Sequence, residues 1–158
     1  SEILNQVTSE KKIVAEDDRL TKLVERLMVM VLRFNDFLAE VMSANSGEIL
    51  STGRFGALYK AIKTEYTENR RIDLDKLRSA VESVGNQNLI DILLMKGELD
   101  FSGVQSVEAK KEMQKLLVSI MEEWRKKQRK EIQTLIEKAE RGGSKEDMEK
   151  LMEEFNKI

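Results

Sequence analysis

Hydrophobic residues recur at intervals of three and four along most of the chain, and no segment alternates strictly between apolar and polar positions as a half-buried strand would. The strongest stripe opens after the acidic pair Asp17-Asp18, which is typical of a helix start. This stripe contains Leu20, Leu23, Val24, Leu27, Met28, Val29, Met30, Val31 and Leu32. Its width predicts a helix in the middle of a bundle. The pattern as a whole predicts an all-α fold.

Weaker stripes predict the remaining helices of the bundle, which are separated by Asn, Asp, Gly and Ser. The first fifteen residues carry scattered apolar positions and predict a short helix at most. The later predictions, in chain order, are a helix restarted at Asn35-Asp36, a loop over 43–51, a helix over 52–68, a helix capped by Asp73, a turn at Gly85-Asn86, a short apolar helix over 89–94, and an irregular connection over 97–103.

The last third of the sequence predicts one long helix. No residue from Val107 to Arg141 demands a break, and that length corresponds to a helix of roughly 50 Å. The apolar stripe of this helix pauses after Trp124 and resumes at Ile132, with the polar segment RKKQRKE between them. A gap of two turns in the apolar face predicts that the helix packs against one group of neighbours before the gap and against another after it.

Two glycines, Gly142-Gly143, then predict a helix end at which glycine adopts the left-handed conformation. Ser144, followed by Asp147, resembles a capping box that starts a final helix. We therefore predict a multi-helix bundle over residues 1–126, continued by a long helix into a C-terminal antiparallel helical hairpin over residues 127–158. Because two helices cannot cover both sides of their apolar seam, the hairpin is expected to present a surface for a partner.

The composition removes most catalytic chemistry. The 158 residues include no Cys, no His and no Pro, and the net charge is −2. Without Cys and His there is no thiolate nucleophile, no His base, no disulfide and none of the usual zinc, haem or di-iron ligand sets. Glu146, Glu149 and Glu153 share one predicted helix, but a di-iron bundle also needs Glu-x-x-His pairs. We predict a non-enzymatic domain with no catalytic residue, no cofactor and no metal.

The basic run from Arg125 to Lys130 allows three interpretations. Glu122 lies four residues before Lys126, a spacing typical of ion pairs on an ordinary solvated helix face. Contact with nucleic acid is the second interpretation, although no aromatic residue within the run could stack on bases. An acidic protein partner is the third.

No segment of the sequence is apolar enough to predict a membrane span. The longest apolar run covers Leu27 to Leu32, whereas a helix needs ~20 apolar residues to cross a bilayer. No signal peptide is recognised at the start, so a cytoplasmic location is expected. The sequence begins at Ser1 without a methionine, which suggests a fragment of a larger protein.

Five segments carry a resemblance to a known family. They are LTKLVERLMVMVLRFNDFLAEVM, GRFGALYKAIKTEY, ENRRIDLDKLRSAVES, NLIDILLM and EIQTLIEKAERGGSKEDMEKLMEEFNKI. In this order, from Asp18 onward, they resemble the C-terminal helicase-interaction domain of bacterial DNA primase of the DnaG type. The closest match is the element formed by Ala139, Glu140 and Gly142. Members of that family often have a proline after the first helix, where this chain has Asn35-Asp36, and the zinc-binding and catalytic primase domains are not in the sequence.

The resemblance implies a function in DNA replication. In such domains the bundle is similar to the N-terminal domain of the replicative helicase, and the hairpin docks onto that helicase domain. The module thereby recruits primase to the replication fork and modulates helicase activity, as a monomer or weak dimer with no direct contact to nucleic acid or membrane. The partner-binding residues that the resemblance implies are Leu135, Ile136, Met148, Leu151, Met152 and Phe155. The alternatives are the N-terminal domain of the helicase itself and a helical nucleic-acid-binding module.

Overall fold

The computed structural model describes residues 19–158, of which 81% are helical, and it has no strand over that range. In chain order the elements are α1 (19–33), a 3-10 turn (Asn35–Phe37), α2 (Leu38–Ser43), α3 (Gly47–Leu50), α4 (Gly56–Asn69), α5 (Leu74–Glu82), α6 (Leu89–Asp100), α7 (Ser106–Gly142) and α8 (Lys145–Lys157). The prediction of an all-α fold is confirmed. The chain divides into two compact units, Ser1–Ile120 and Met121–Ile158, and the division falls inside α7.

Helix α1 is the centre of the first unit. Its residues from Leu27 to Leu32 are all buried, with at most 7% of any of these side chains exposed. Six consecutive buried positions cover every direction around a helix, so neighbours surround α1 on all sides. The wide apolar stripe therefore predicted its position correctly. The helix start predicted at Asp17-Asp18, like the short helix predicted before it, lies outside the described residues.

Aromatic rings pack at the end of α1. The Phe34 ring lies 5.3 Å from the ring of Phe37 and 5.6 Å from that of Phe101, the latter pair being edge-to-face, as aromatic pairs prefer. The guanidinium carbon of Arg26 lies 4.9 Å from the centre of the Phe101 ring. This cluster joins the end of α6 to the break between α1 and α2.

Ion pairs and a hydrogen bond between side chains connect sequence-distant helices in the first unit. Arg26 donates from Nε to Oε1 of Glu112, 2.7 Å away, and so joins α1 to α7. Lys96 on α6 pairs with Glu25 on α1, and Gln114 donates to Glu40 at 2.9 Å. Because these groups are partly exposed, each pair adds little stability, and its main effect is to fix which helix faces which.

The predicted loop over residues 43–51 is wrong at Gly47–Leu50, where the chain forms α3. This single helical turn buries Ile49 and Leu50, and so a short polar-looking segment contributes to the core. The next helix begins at Gly56, later than predicted, because Gly53 has a φ of 76° and the chain turns there. Such a left-handed conformation is available to glycine at little cost.

The irregular connection predicted over residues 97–103 is also wrong at its start, because α6 continues to Asp100. Gly97 is buried on the face of α6 that meets α1. A Cβ at this position would lie 3.4 Å from Cβ of Arg33 and 3.6 Å from Cγ1 of Val29. Gly97 therefore permits close approach of two helices and does not end one.

The predicted caps and turns of the middle helices are present. The Asp73 carboxylate accepts hydrogen bonds from the backbone amides of Asp75, at 3.0 Å, and Lys76, at 3.3 Å, and caps α5 as predicted. Gly85 turns the chain with a φ of 88°. Helix α4 ends where Arg70 adopts the left-handed conformation, with a φ of 59°.

Candidate protein-docking site

The second unit is a helical hairpin formed by the C-terminal part of α7 and by α8. Gly143 has a φ of 71°, and its amide bonds to the carbonyl of Glu140 while the amide of Ser144 bonds to that of Ala139, both at 3.3 Å. This pair of bonds is a Schellman motif, which only a left-handed residue such as glycine closes without strain. The prediction that two glycines end the long helix is confirmed.

The predicted capping box at Ser144 is wrong. Ser144 occupies the N-cap position of α8 in an extended conformation, but its side chain makes no capping hydrogen bond. The backbone closes the turn instead, because the Ser144 amide bonds to Ala139 and its carbonyl accepts from the amide of Met148 at 3.3 Å. Ser144 is therefore held by the glycine turn that precedes it.

The two helices of the hairpin run antiparallel. Arg129, on α7, donates from Nη2 to the backbone oxygen of Ile158, just after α8, at a distance of 3.2 Å. Ile132, one turn further along α7, is the buried apolar residue of this unit, with 7% of its surface exposed. Ile132 is therefore the residue of the hairpin that is covered most completely. Helix α8 itself contains no buried residue.

The six predicted partner-binding residues all lie on the hairpin. We call these six residues together the docking patch: Leu135, Ile136, Met148, Leu151, Met152 and Phe155. Leu135 and Met152 are each 47% exposed, and Phe155 is 37% exposed. Ile136, Met148 and Leu151 are half-buried. The docking patch is therefore apolar and incompletely covered, a condition that favours association with another surface. Its role in binding stays a prediction.

Beside the docking patch, the second unit has an open groove of about 620 Å³ between α7 and the end of α8. The side chains that line it are Glu122, Arg125, Lys126, Arg129, Lys130, Gln133 and Phe155. The basic run of the sequence and an apolar residue of the docking patch thus meet in one groove. Sequence reasoning identified both features but not their proximity, because that depends on how α8 is aligned with α7.

The second unit has equal numbers of basic and acidic side chains, but the basic ones are concentrated in one segment. Residues 121–158 contain ten basic and ten acidic side chains, and five of the basic ones lie between Arg125 and Lys130. Helix α8 carries five acidic and three basic residues. The groove is consequently a local positive region in a unit with no net charge, and it can attract an anionic group at short range but exerts little long-range pull.

A second exposed apolar surface, on α6, was missed by sequence reasoning. Ile92, Met95 and Leu99 are 43%, 54% and 74% exposed, and their spacing places them on one face of the helix. The apolar residues of α6 are too many for one face, and only Leu89, Ile90, Leu93 and Gly97 are buried. The prediction of a short apolar helix over 89–94 did not say which of its faces is exposed, and Met95 and Leu99 lie beyond that range.

Within residues 19–158, no group of three or more His, Cys, Asp or Glu side chains is arranged to hold a metal ion. The helices of that range also include none that combines the length and the apolar character needed to cross a bilayer. Comparison of the chain with protein-family models, with curated proteins and with solved structures finds no match.

Proposed function

We propose that this chain is the helicase-binding module of a bacterial DNA primase of the DnaG type. In this proposal, the docking patch binds the N-terminal domain of the replicative helicase, and the complex keeps primase at the replication fork in the cytoplasm. The module is itself non-catalytic. The bundle, which the resemblance relates to the helicase N-terminal domain, contributes to modulating helicase activity.

The main support for this function is that the docking patch is exposed. Three large apolar side chains, Leu135, Met152 and Phe155, are exposed on a hairpin of only two helices. Covering such side chains by a partner removes apolar surface from water, and that is the dominant favourable contribution to most protein association. The layout of helices along the sequence supports the choice of partner.

The test measures binding of the full chain to the helicase N-terminal domain by isothermal titration calorimetry. Met152→Asp places a charge on the docking patch at a position that is already exposed, so the hairpin is expected to remain folded. If Met152 lies at the centre of the interface, the dissociation constant rises at least about 30-fold, equivalent to ~2 kcal/mol. Leu151→Asp, at a half-buried position, is expected to abolish binding while the bundle keeps its helicity.

Asn156→Asp provides the matched control, because it introduces the same charge at an exposed polar position of the same helix. Its affinity should equal that of the wild type, and circular dichroism should show the helicity of the wild type for Asn156→Asp and Met152→Asp. Unchanged affinity in both Met152→Asp and Leu151→Asp would show that the hairpin is not the contact.

A further inference from the structure

We propose that the groove beside the docking patch receives an acidic amphipathic helix of the partner protein. This inference rests on the proposed function and names the chemistry of the surface that the hairpin recognises. The partner helix would place its apolar side chains on Phe155 and its carboxylates against the basic side chains of α7.

The spacing of the basic side chains matches the spacing of carboxylates on a helix. Arg125 and Arg129 are four residues apart on α7, as are Lys126 and Lys130, and all four are exposed and line the groove. Four residues of helix advance about 6 Å. Acidic side chains at i and i+4 of a second helix have the same separation. A partner helix lying along α7 can therefore meet two cations with two carboxylates in register.

The groove also offers an apolar contact at its edge. Phe155 projects into the groove from α8 and is one of the exposed members of the docking patch. A partner helix in the groove would cover this ring together with neighbouring apolar surface. The combination of basic side chains along α7 with the ring of Phe155 favours a segment that has one acidic face and one apolar face, since an all-polar chain would leave Phe155 uncovered.

A protein segment fits these features better than a nucleic acid does. Binding to a phosphate backbone depends on excess positive charge, and residues 121–158 carry none overall. Single-stranded nucleic acid also requires several aromatic platforms, whereas the groove is lined by the one aromatic ring of Phe155. Short-range pairing with a few carboxylates needs neither.

The test is calorimetric titration of the full chain with the helicase N-terminal domain at 50, 150 and 500 mM salt. The variant Arg125→Gln/Lys126→Gln removes two cations from the groove. The control, Lys138→Gln/Lys150→Gln, removes two cations at exposed positions of the same hairpin that do not line the groove. Circular dichroism checks that both double variants keep the helicity of the wild type.

We expect the groove variant to bind about 3- to 20-fold more weakly than the wild type at 50 mM salt. That difference should shrink at 500 mM salt, where the charges are screened over about 3–5 Å. The control variant should bind like the wild type throughout. Equal affinity of the groove variant and the wild type would overturn the inference and leave the proposed function standing.

Two further outcomes count against the inference. If the wild-type chain does not bind the helicase domain, the proposed function fails and the inference fails with it. If the groove variant binds the helicase domain normally but loses affinity for a single-stranded oligonucleotide in fluorescence anisotropy, the groove is a nucleic-acid site instead.

Discussion

The guanidinium of Arg129 holds the backbone oxygen of Ile158, with Nη2 3.2 Å from that oxygen. The two residues are 29 positions apart, so the bond fixes how far α8 runs back along α7. It also places Arg129 at the point where the groove meets the end of α8. One side chain therefore contributes both to the register of the hairpin and to the charge of its surface.

Arg129→Gln is expected to loosen the last turn of α8. A hydrogen bond from a charged group to an exposed carbonyl contributes about 0.5–1 kcal/mol, so its loss should raise the exchange rates of the terminal amides by about two- to fivefold. Hydrogen exchange followed by NMR measures this directly. Arg125→Gln is the control, since it removes the same charge from the same groove. Equal exchange in both variants would mean that the bond does not restrain α8.

Replacing Gly97 by alanine should preserve the stability of the bundle, whereas replacing it by leucine should lower that stability. A Cβ at this position would lie in ordinary contact distance of Val29 and Arg33, and alanine is the better helix former by about 1 kcal/mol. Gly97→Ala is thus expected to unfold at an equal or higher urea concentration than the wild type. Gly97→Leu would force α6 away from α1 and destabilise the bundle by about 1–3 kcal/mol.

Glu98→Leu is the control for the leucine variant, because Glu98 is the exposed neighbour of Gly97 on the same helix. Its urea midpoint should remain close to that of the wild type. If Gly97→Leu is as stable as Glu98→Leu, then α1 and α6 do not approach each other as closely as described.

The bundle is expected to lose stability in alkali through Tyr59. Burial raises the pKa of the Tyr59 hydroxyl above its ordinary value of 10.0, because burial disfavours the phenolate. The contribution of this group to stability is complete below the unfolded pKa, and it is lost as the pH rises through the folded pKa. Chemical denaturation between pH 8 and 11 should therefore show a fall in the free energy of unfolding.

Tyr59→Phe should reduce that fall, because phenylalanine cannot ionise. Tyr66→Phe removes the hydroxyl of a partly buried tyrosine on the same helix and is the matched control. If the free energy of unfolding falls equally with pH in the wild type, Tyr59→Phe and Tyr66→Phe, then groups other than Tyr59 cause the loss of stability in alkali.

The proposed function predicts a predominantly monomeric protein. The main rival, a helicase N-terminal domain, belongs to a ring-forming protein and favours self-association. Size-exclusion chromatography with light scattering at low micromolar concentration should give a mass near 18.2 kDa. A stable dimer or hexamer at that concentration would favour the rival.

Several elements could be predicted from the sequence because their signals are local. Asp73 caps α5 through bonds to amides two and three residues away, and Gly143 ends α7 through bonds within the same turn. The central position of α1 followed from six consecutive apolar residues that no exposed helix could carry. These features need no knowledge of the rest of the fold.

The incorrect predictions concern residues whose role depends on distant neighbours. The sequence alone predicts that Gly97 ends a helix, because the packing of Val29 and Arg33 against it is visible only in the structure. Ile49 and Leu50 look like loop residues until the core is present to bury them. In the same way, the sequence predicts that the hairpin is apolar and that α7 has a basic run, but only the alignment of the two helices shows that Phe155 and Arg129 share a groove.

The continuity of α7 from Ser106 to Gly142 has a practical consequence for dissecting the protein. The boundary between the two units lies between Ile120 and Met121, so a fragment limited to the hairpin starts in mid-helix. Its first four amides would lack the carbonyl acceptors that the preceding turn supplies. Such a peptide would fray from its cut end unless a new Ser or Asp cap were engineered there, and its melting behaviour would not represent the intact protein.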